Sequence, residues 1–225
     1  MKKSLFFLLV VIIANGVFAQ GSPHPFQKDI DAFVLQDSRQ APPANPVLLI
    51  GSSSFTFWKD VQQAFPGLPI LNRGFGGSSL TDLIHFAPQV IFAYNPRQII
   101  IYCGENDIAA TPTVEPKVVL QRVRKLFNMI RSQWPVMPIV YISIKPSPAR
   151  WQLEPQFVEA NRRISVFLRN KKNARFLDVH TAMLDSNGET RPELYINDRL
   201  HMNAKGYAIW QSLLGPLLLA GEVPR

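Results

Sequence analysis

Cysteine is almost absent from this chain: of 225 residues only Cys103 carries a thiol, so no internal disulfide can form and stability must come from a buried core. Long hydrophobic runs are missing too. The N-terminal run, Leu5 to Ala14, holds about ten apolar residues, where roughly twenty are needed to span a bilayer. Lys2 and Lys3 precede it, and Val17-Phe18-Ala19 puts a small residue before Gln20. That order predicts a cleaved signal peptide over residues 1–19, a single mature domain over 20–225, and a periplasmic or extracellular location without stable membrane insertion after cleavage. No cysteine near residue 20 is there to carry a lipid.

Several functional motifs are absent as well. None of the four histidines has H-E-x-x-H spacing, which argues against a metal site. The loop Gly74-Phe75-Gly76-Gly77-Ser78-Ser79 has Ser79 where a dinucleotide loop has its third glycine, and no acidic residue follows about twenty positions on. No cofactor is expected. The G-x-S-x-G elbow of ordinary α/β-hydrolases does not occur. The formal charge is +8, or +6 without Lys2 and Lys3, with 22 basic against 16 acidic residues. No basic cluster is interleaved with aromatics as single-strand binding needs, so no nucleic-acid partner is expected. Arg122, Arg124, Lys125 and Arg131 read as the solvated outside of one helix.

What is present is a regular alternation. A first helix is expected from Phe26, Ile30, Phe33 and Val34, before the break at Ala41-Pro42-Pro43. Short apolar strands follow at Pro46 to Ile50, Pro69 to Asn72, Gln98 to Cys103, Ile139 to Ser143 and Arg175 to Asp178. Helical stripes lie between and after them: Val119, Val123, Phe127, Ile130 and Trp134; Phe157, Ala160, Ile164 and Phe167; Tyr207, Trp210, Leu214 and Leu217. Five apolar strands alternating with helices predict an α/β three-layer sandwich with a five-stranded parallel sheet covered on both faces, which binds ligands at the carboxyl ends of its strands.

Four polar clusters punctuate that pattern. Gly51-Ser52-Ser53-Ser54 follows the first strand, and Gly74 to Ser79 follows the second, with Ser79 and Asp82 spaced for a capping box. Gly104-Glu105-Asn106-Asp107 leaves the third, and Asp198-Arg199-Leu200-His201 precedes the last helix. A serine hydroxyl, a glycine amide, a pH-insensitive carboxamide and a carboxylate three residues from an imidazole are the components of serine-based acyl transfer. Asp178 and His180 form a competing pair, with Asp178 better placed for structure. Cys103 reads as a small buried side chain.

In order and placement these four clusters resemble those of the SGNH hydrolases, the GDSL esterase/lipase family, over roughly residues 46–218. The resemblance implies a flavodoxin-like fold. It also implies Ser53 as nucleophile, His201 as base with Asp198 as its partner, and an oxyanion hole of the Ser53 and Gly77 amides and the Asn106 side chain. Ser52 stands where the family usually has Asp, which leaves the register among Ser52, Ser53 and Ser54 open in the sequence.

Such a chain is expected to hydrolyse small acyl esters, acetyl above all, on carbohydrate, since its short loops leave no material for a lid. A lipolytic or lysophospholipase-type esterase and a non-catalytic glycan-binding derivative are the alternatives. Phe55, Phe57, Trp58, Lys145, Arg150 and Trp151 are expected near the rim or in the core, with the two cations solvated. The oligomeric state is not readable.

Overall fold

The computed structural model describes residues 24–111 and 113–219, so the leader and the expected cleavage point lie outside the described residues. In chain order the main elements are α1 (Gln27–Arg39), β1 (Val47–Gly51), α2 (Ser53–Thr56), α3 (Val61–Ala64), β2 (Ile70–Gly74), α4 (Leu80–His85), α5 (Ala87–Val90) and β3 (Gln98–Tyr102). They continue with α6 (Glu105–Ala109), α7 (Pro116–Gln133), β4 (Ile139–Ile142), a 3-10 helix (Pro148–Leu153), α8 (Glu154–Arg169), β5 (Ala174–Leu177) and α9 (Ala204–Leu214). The strands pair in parallel in the order β2-β1-β3-β4-β5. All five strands expected from the sequence are present, each within two residues of its expected ends.

Because side chains alternate across a strand, each strand feeds two cores. Leu48, Ile50, Ile99, Ile101, Ile139 and Tyr141 pack with α1, α4, α5, α7 and α8 on one face. Val47, Leu49, Ile100, Tyr102, Val140 and Ile142 pack with α2, α3 and α9 on the other. That second core is aromatic: Trp58 stacks on Tyr207 at 5.1 Å, and Tyr102 meets Trp210 edge-on at 4.8 Å. Full burial of Trp210 ties α9 to the sheet, and its truncation to Ala is worth about 3–5 kcal/mol.

Three local expectations change. Val34 is solvent-exposed, so α1 uses a narrower stripe centred on Ile30. β5 is an edge strand with only Leu177 buried, whereas β2 at the opposite edge is buried at four of its five residues. Arg122 and Arg131 are not merely solvated: the first donates to Asp107 Oδ1 at 2.6 Å and the second bonds the Met137 carbonyl. Among the described residues no helix is long and apolar enough to cross a membrane.

Candidate active site

The carboxyl ends of β1, β2 and β3 carry the first three clusters. At the end of β1, Gly51 has φ +151°, and a Cβ there would lie 1.9 Å from the Tyr102 carbonyl oxygen, so only glycine lets β1 turn this close to β3. Ser52 N–H donates to that same carbonyl at 3.1 Å, and α2 begins at once. Ser52 and Ser54 are each 2% exposed, whereas Ser53 between them is half-buried; of the three hydroxyls it is the one open to the surface. Asn72 Nδ2 to the Phe55 carbonyl (2.7 Å) and the Tyr207 hydroxyl to the Ser54 carbonyl (2.9 Å) fasten α2 in place.

The glycine loop after β2 passes directly against Ser53: a Cβ on Gly76 would lie 4.0 Å from the Ser53 Cβ. Gly77 is exposed, with φ +84°, a backbone conformation that side chains rarely adopt. Among the described residues neither the Ser53 nor the Gly77 N–H has an acceptor. The expected capping box forms, with Ser79 N–H on Asp82 Oδ2 at 2.7 Å and Asp82 N–H on Ser79 Oγ at 3.4 Å. Ser78, fully buried, joins the blocks: its hydroxyl donates to the Gly51 carbonyl (3.1 Å), and its carbonyl accepts Asn106 Nδ2 (3.0 Å).

Asn106 sits in the first turn of α6, 9% exposed, with its Oδ1 accepting from Arg150 Nη1 at 3.0 Å. Its neighbour Asp107 is buried and accepts from Leu80 N–H (2.9 Å) and Arg122, tying α6 to the start of α4. Burial raises the Asp107 carboxyl above its ordinary range, against the pull of those two donors. Cys103 Sγ points at the Ser78 carbonyl from a fully buried position, and burial pushes its thiol well up, as suits a packing residue.

Asp198 and His201 meet as their spacing anticipates, Oδ2 to Nδ1 at 2.6 Å. Arg199 adopts φ +59° between them, which folds the loop so that Asp198 Oδ1 also accepts the Leu200 and His201 N–H groups, each at 2.9 Å. Partial burial raises this carboxyl, but the three His201 and Leu200 bonds outweigh it and hold the pKa at about 2. With Nδ1 engaged, Nε2 is the nitrogen left for chemistry. The His201 ring lies 4.4 Å from the ring of Phe57, the residue that closes α2 and whose N–H bonds the Ser53 carbonyl. The imidazole thus stands beside the helix that begins with Ser53.

The sequence profile of the GDSL-like Lipase/Acylhydrolase family matches residues 26–209, a span that takes in all four clusters. The chain belongs to that family. It is a carboxylic ester hydrolase by that membership. No curated protein matches it. Solved structures with the same fold include a candidate platelet activating factor from Streptococcus pneumonia (20% identity, 85% of this chain and 92% of that one, TM-score 0.74). A GDSL-like lipase from Bacteroides thetaiotaomicron is 17% identical over 83% and 95% of the two chains (TM-score 0.70). An acetyl-xylooligosaccharide esterase mutant from Geobacillus Stearmophilus is 18% identical over 82% and 99% (TM-score 0.62).

In this hydrolase the competing pair separates. Asp178 accepts from Thr181 N–H and Oγ1, while His180 turns to Glu154, Nε2 to Oε1 at 2.5 Å. Of the expected rim residues, Phe55 and Trp58 are core, Phe57 is 46% exposed and Trp151 is half-buried. Neither cation is simply solvated: Lys145 is buried, and Arg150, half-buried, is paired. Lys145 is 1% exposed and lies 3.3 Å from Glu105 Oε2; Arg150 Nη1 reaches Glu105 Oε1 at 2.8 Å as well as Asn106. The Tyr102 hydroxyl donates to Glu105 Oε2 at 2.5 Å. Burial raises the Glu105 carboxyl, but Lys145, Arg150 and Tyr102 together bring it below its ordinary value; burial lowers the Lys145 ammonium, with Glu105 opposing.

Sequence reasoning missed this network because its members lie on four separate segments: β3, α6, the stretch after β4 and the 3-10 helix. The available signal was Lys145, a lone cation held between a buried strand and two prolines.

Proposed function

We propose that the protein is an exported esterase that removes small acyl groups, acetyl above all, from carbohydrate. In this reading Ser53 Oγ attacks the ester carbonyl while His201 Nε2 takes its proton, and Asp198 stabilises the imidazolium through Nδ1–H. The Ser53 and Gly77 N–H groups, both without an acceptor among the described residues, and Asn106 Nδ2 receive the oxyanion. His201 then returns the proton to the leaving alcohol, and a water deprotonated by His201 releases the acid. Protons balance over the cycle, and no cofactor enters.

The observation that carries the chemistry is the 2.6 Å Asp198–His201 bond beside the helix that opens with Ser53. The side on which the alcohol must leave supports the substrate class. Since His201 protonates it, the alcohol lies on the Phe57 side. There a groove of about 550 Å³ opens, in which Lys59, Asp60, Gln63, Asn203 and Gln211 share the wall with Phe57, Trp58, Met202, Tyr207 and three alanines. Aromatic rings beside amide and charged side chains offer a sugar alcohol both a stacking surface and hydrogen-bond partners. The acetyl-xylooligosaccharide esterase with the same fold supplies a substrate of that kind to test.

Specificity constants for p-nitrophenyl acetate and octanoate, together with acetate release from acetylated xylo-oligosaccharides, test the reading. Preference for acetate with glycan deacetylation is expected; preference for octanoate without it turns the account to a lipolytic enzyme. Export is tested by the intact mass of secreted material, expected to begin near Gln20.

A further inference from the structure

An asparagine serves an oxyanion only if its carboxamide presents nitrogen rather than oxygen to the site, and the two faces of that group are nearly equal in shape. Here both orientations are decided by neighbours. The Ser78 carbonyl can only accept, and it holds Asn106 Nδ2 at 3.0 Å; a guanidinium can only donate, and Arg150 Nη1 holds Oδ1 at 3.0 Å. A flipped amide would set oxygen against oxygen and N–H against N–H. Among the described residues the second Nδ2 hydrogen has no acceptor, and it belongs to an amide whose oxygen is bonded to a cation, which makes its N–H groups stronger donors.

Arg150 is itself held in place. Glu105, 4% exposed, accepts from it at 2.8 Å and is anchored from beneath by Tyr102 and by Lys145, 1% exposed. The Arg199 carbonyl, in the Asp198–His201 loop, accepts the Ala149 N–H at 3.0 Å, so the segment bearing Arg150 is also joined to the loop bearing the histidine. Arg150 thereby sets positive charge behind a carboxamide whose opposite side faces the developing oxyanion.

We propose that Arg150 is a positioning residue of the oxyanion site: it locks and polarises the Asn106 carboxamide, and Glu105 holds it in register. This rests on Asn106 being an oxyanion donor. The test uses p-nitrophenyl acetate with the single variants Arg150→Met, Arg150→Lys and Asn106→Ala and the double variant Asn106→Ala/Arg150→Met, each normalised to fluorophosphonate-titrated active sites. Arg150→Met is expected to lower kcat by about ten- to a hundredfold with KM within twofold, Arg150→Lys to recover part of that loss, and the double variant to be no slower than Asn106→Ala alone.

Additive losses, a change confined to KM, or an unchanged kcat per titrated site would each overturn the proposal. Should Arg150→Met not fold, Arg150→Gln, too short to bridge Asn106 and Glu105, carries the same expectation. If Asn106→Ala itself leaves kcat intact while Ser53→Ala is dead, the oxyanion reading of Asn106 has failed, separately from the role of Arg150.

Discussion

Among the described residues two short histidine–carboxylate pairs stand at the carboxyl end of this sheet, nearly equal in length and different in everything that matters for chemistry. His201 meets Asp198 at 2.6 Å and His180 meets Glu154 at 2.5 Å. His201 uses Nδ1, the nitrogen nearer its own backbone, and so keeps Nε2 at the ring's outer tip. His180 spends Nε2 on its partner and lies buried, with its backbone N–H held by Ser143 Oγ at 3.0 Å. Asp198 has both oxygens bonded, whereas Glu154 Oε2 is buried without a partner among the described residues. A short His–carboxylate bond is therefore not by itself a catalytic signature. Which nitrogen is left over, and what faces it, decides the role.

The strongest way to break that contrast is to truncate each imidazole. His201→Ala is expected to lower kcat/KM for p-nitrophenyl acetate by roughly 10⁴-fold or more, the scale of losing a triad member, while His180→Ala changes it by less than about fivefold. A comparable loss in both would put His180 in the chemistry. Next in size is Asn106→Ala, expected to cost roughly a hundredfold in kcat with little change in KM. An effect on KM alone would move Asn106 to substrate recognition.

The structural pair is sharpened by stability. His180→Ala strips Glu154 of its buried partner and is expected to cost about 1–3 kcal/mol. For a domain of this size that lowers Tm by roughly 2–4 °C per kcal/mol, read by thermal melts. An unchanged Tm would mean that water already satisfies Glu154.

The smallest effect concerns pH. Glu105 has a folded-state pKa below its ordinary 4.5, so its contribution is fully present above that value and is lost as pH falls through the lowered one. Glu105→Gln should therefore flatten the fall of Tm below about pH 4.5. A slope equal to that of the wild type contradicts the Lys145–Arg150 account of its charge.

The parallel sheet was readable from sequence because its strands are continuous apolar runs and its clusters are local. Asp198 and His201 lie three residues apart, so their meeting needed only a turn. The Glu154–His180 pair is 26 residues apart, and the Glu105–Lys145 and Glu105–Arg150 pairs are 40 and 45 apart. No periodicity encodes such pairings; they depend on how the start of α8 meets the end of β5, and on how α6, the β4 end and the 3-10 helix converge. For the same reason Lys145 and Arg150, ordinarily surface residues, were expected in solvent. Ser52 and Ser54 differ from Ser53 only in burial, which one turn of α2 decides.

Fluorophosphonate labelling followed by peptide mapping tests the central claim, that Ser53 is the hydroxyl activated by His201, most directly. The account predicts a single adduct on Ser53, absent from Ser53→Ala and formed far more slowly in His201→Ala. An adduct on Ser52 or Ser54, or labelling of Ser53 that does not depend on His201, would contradict it.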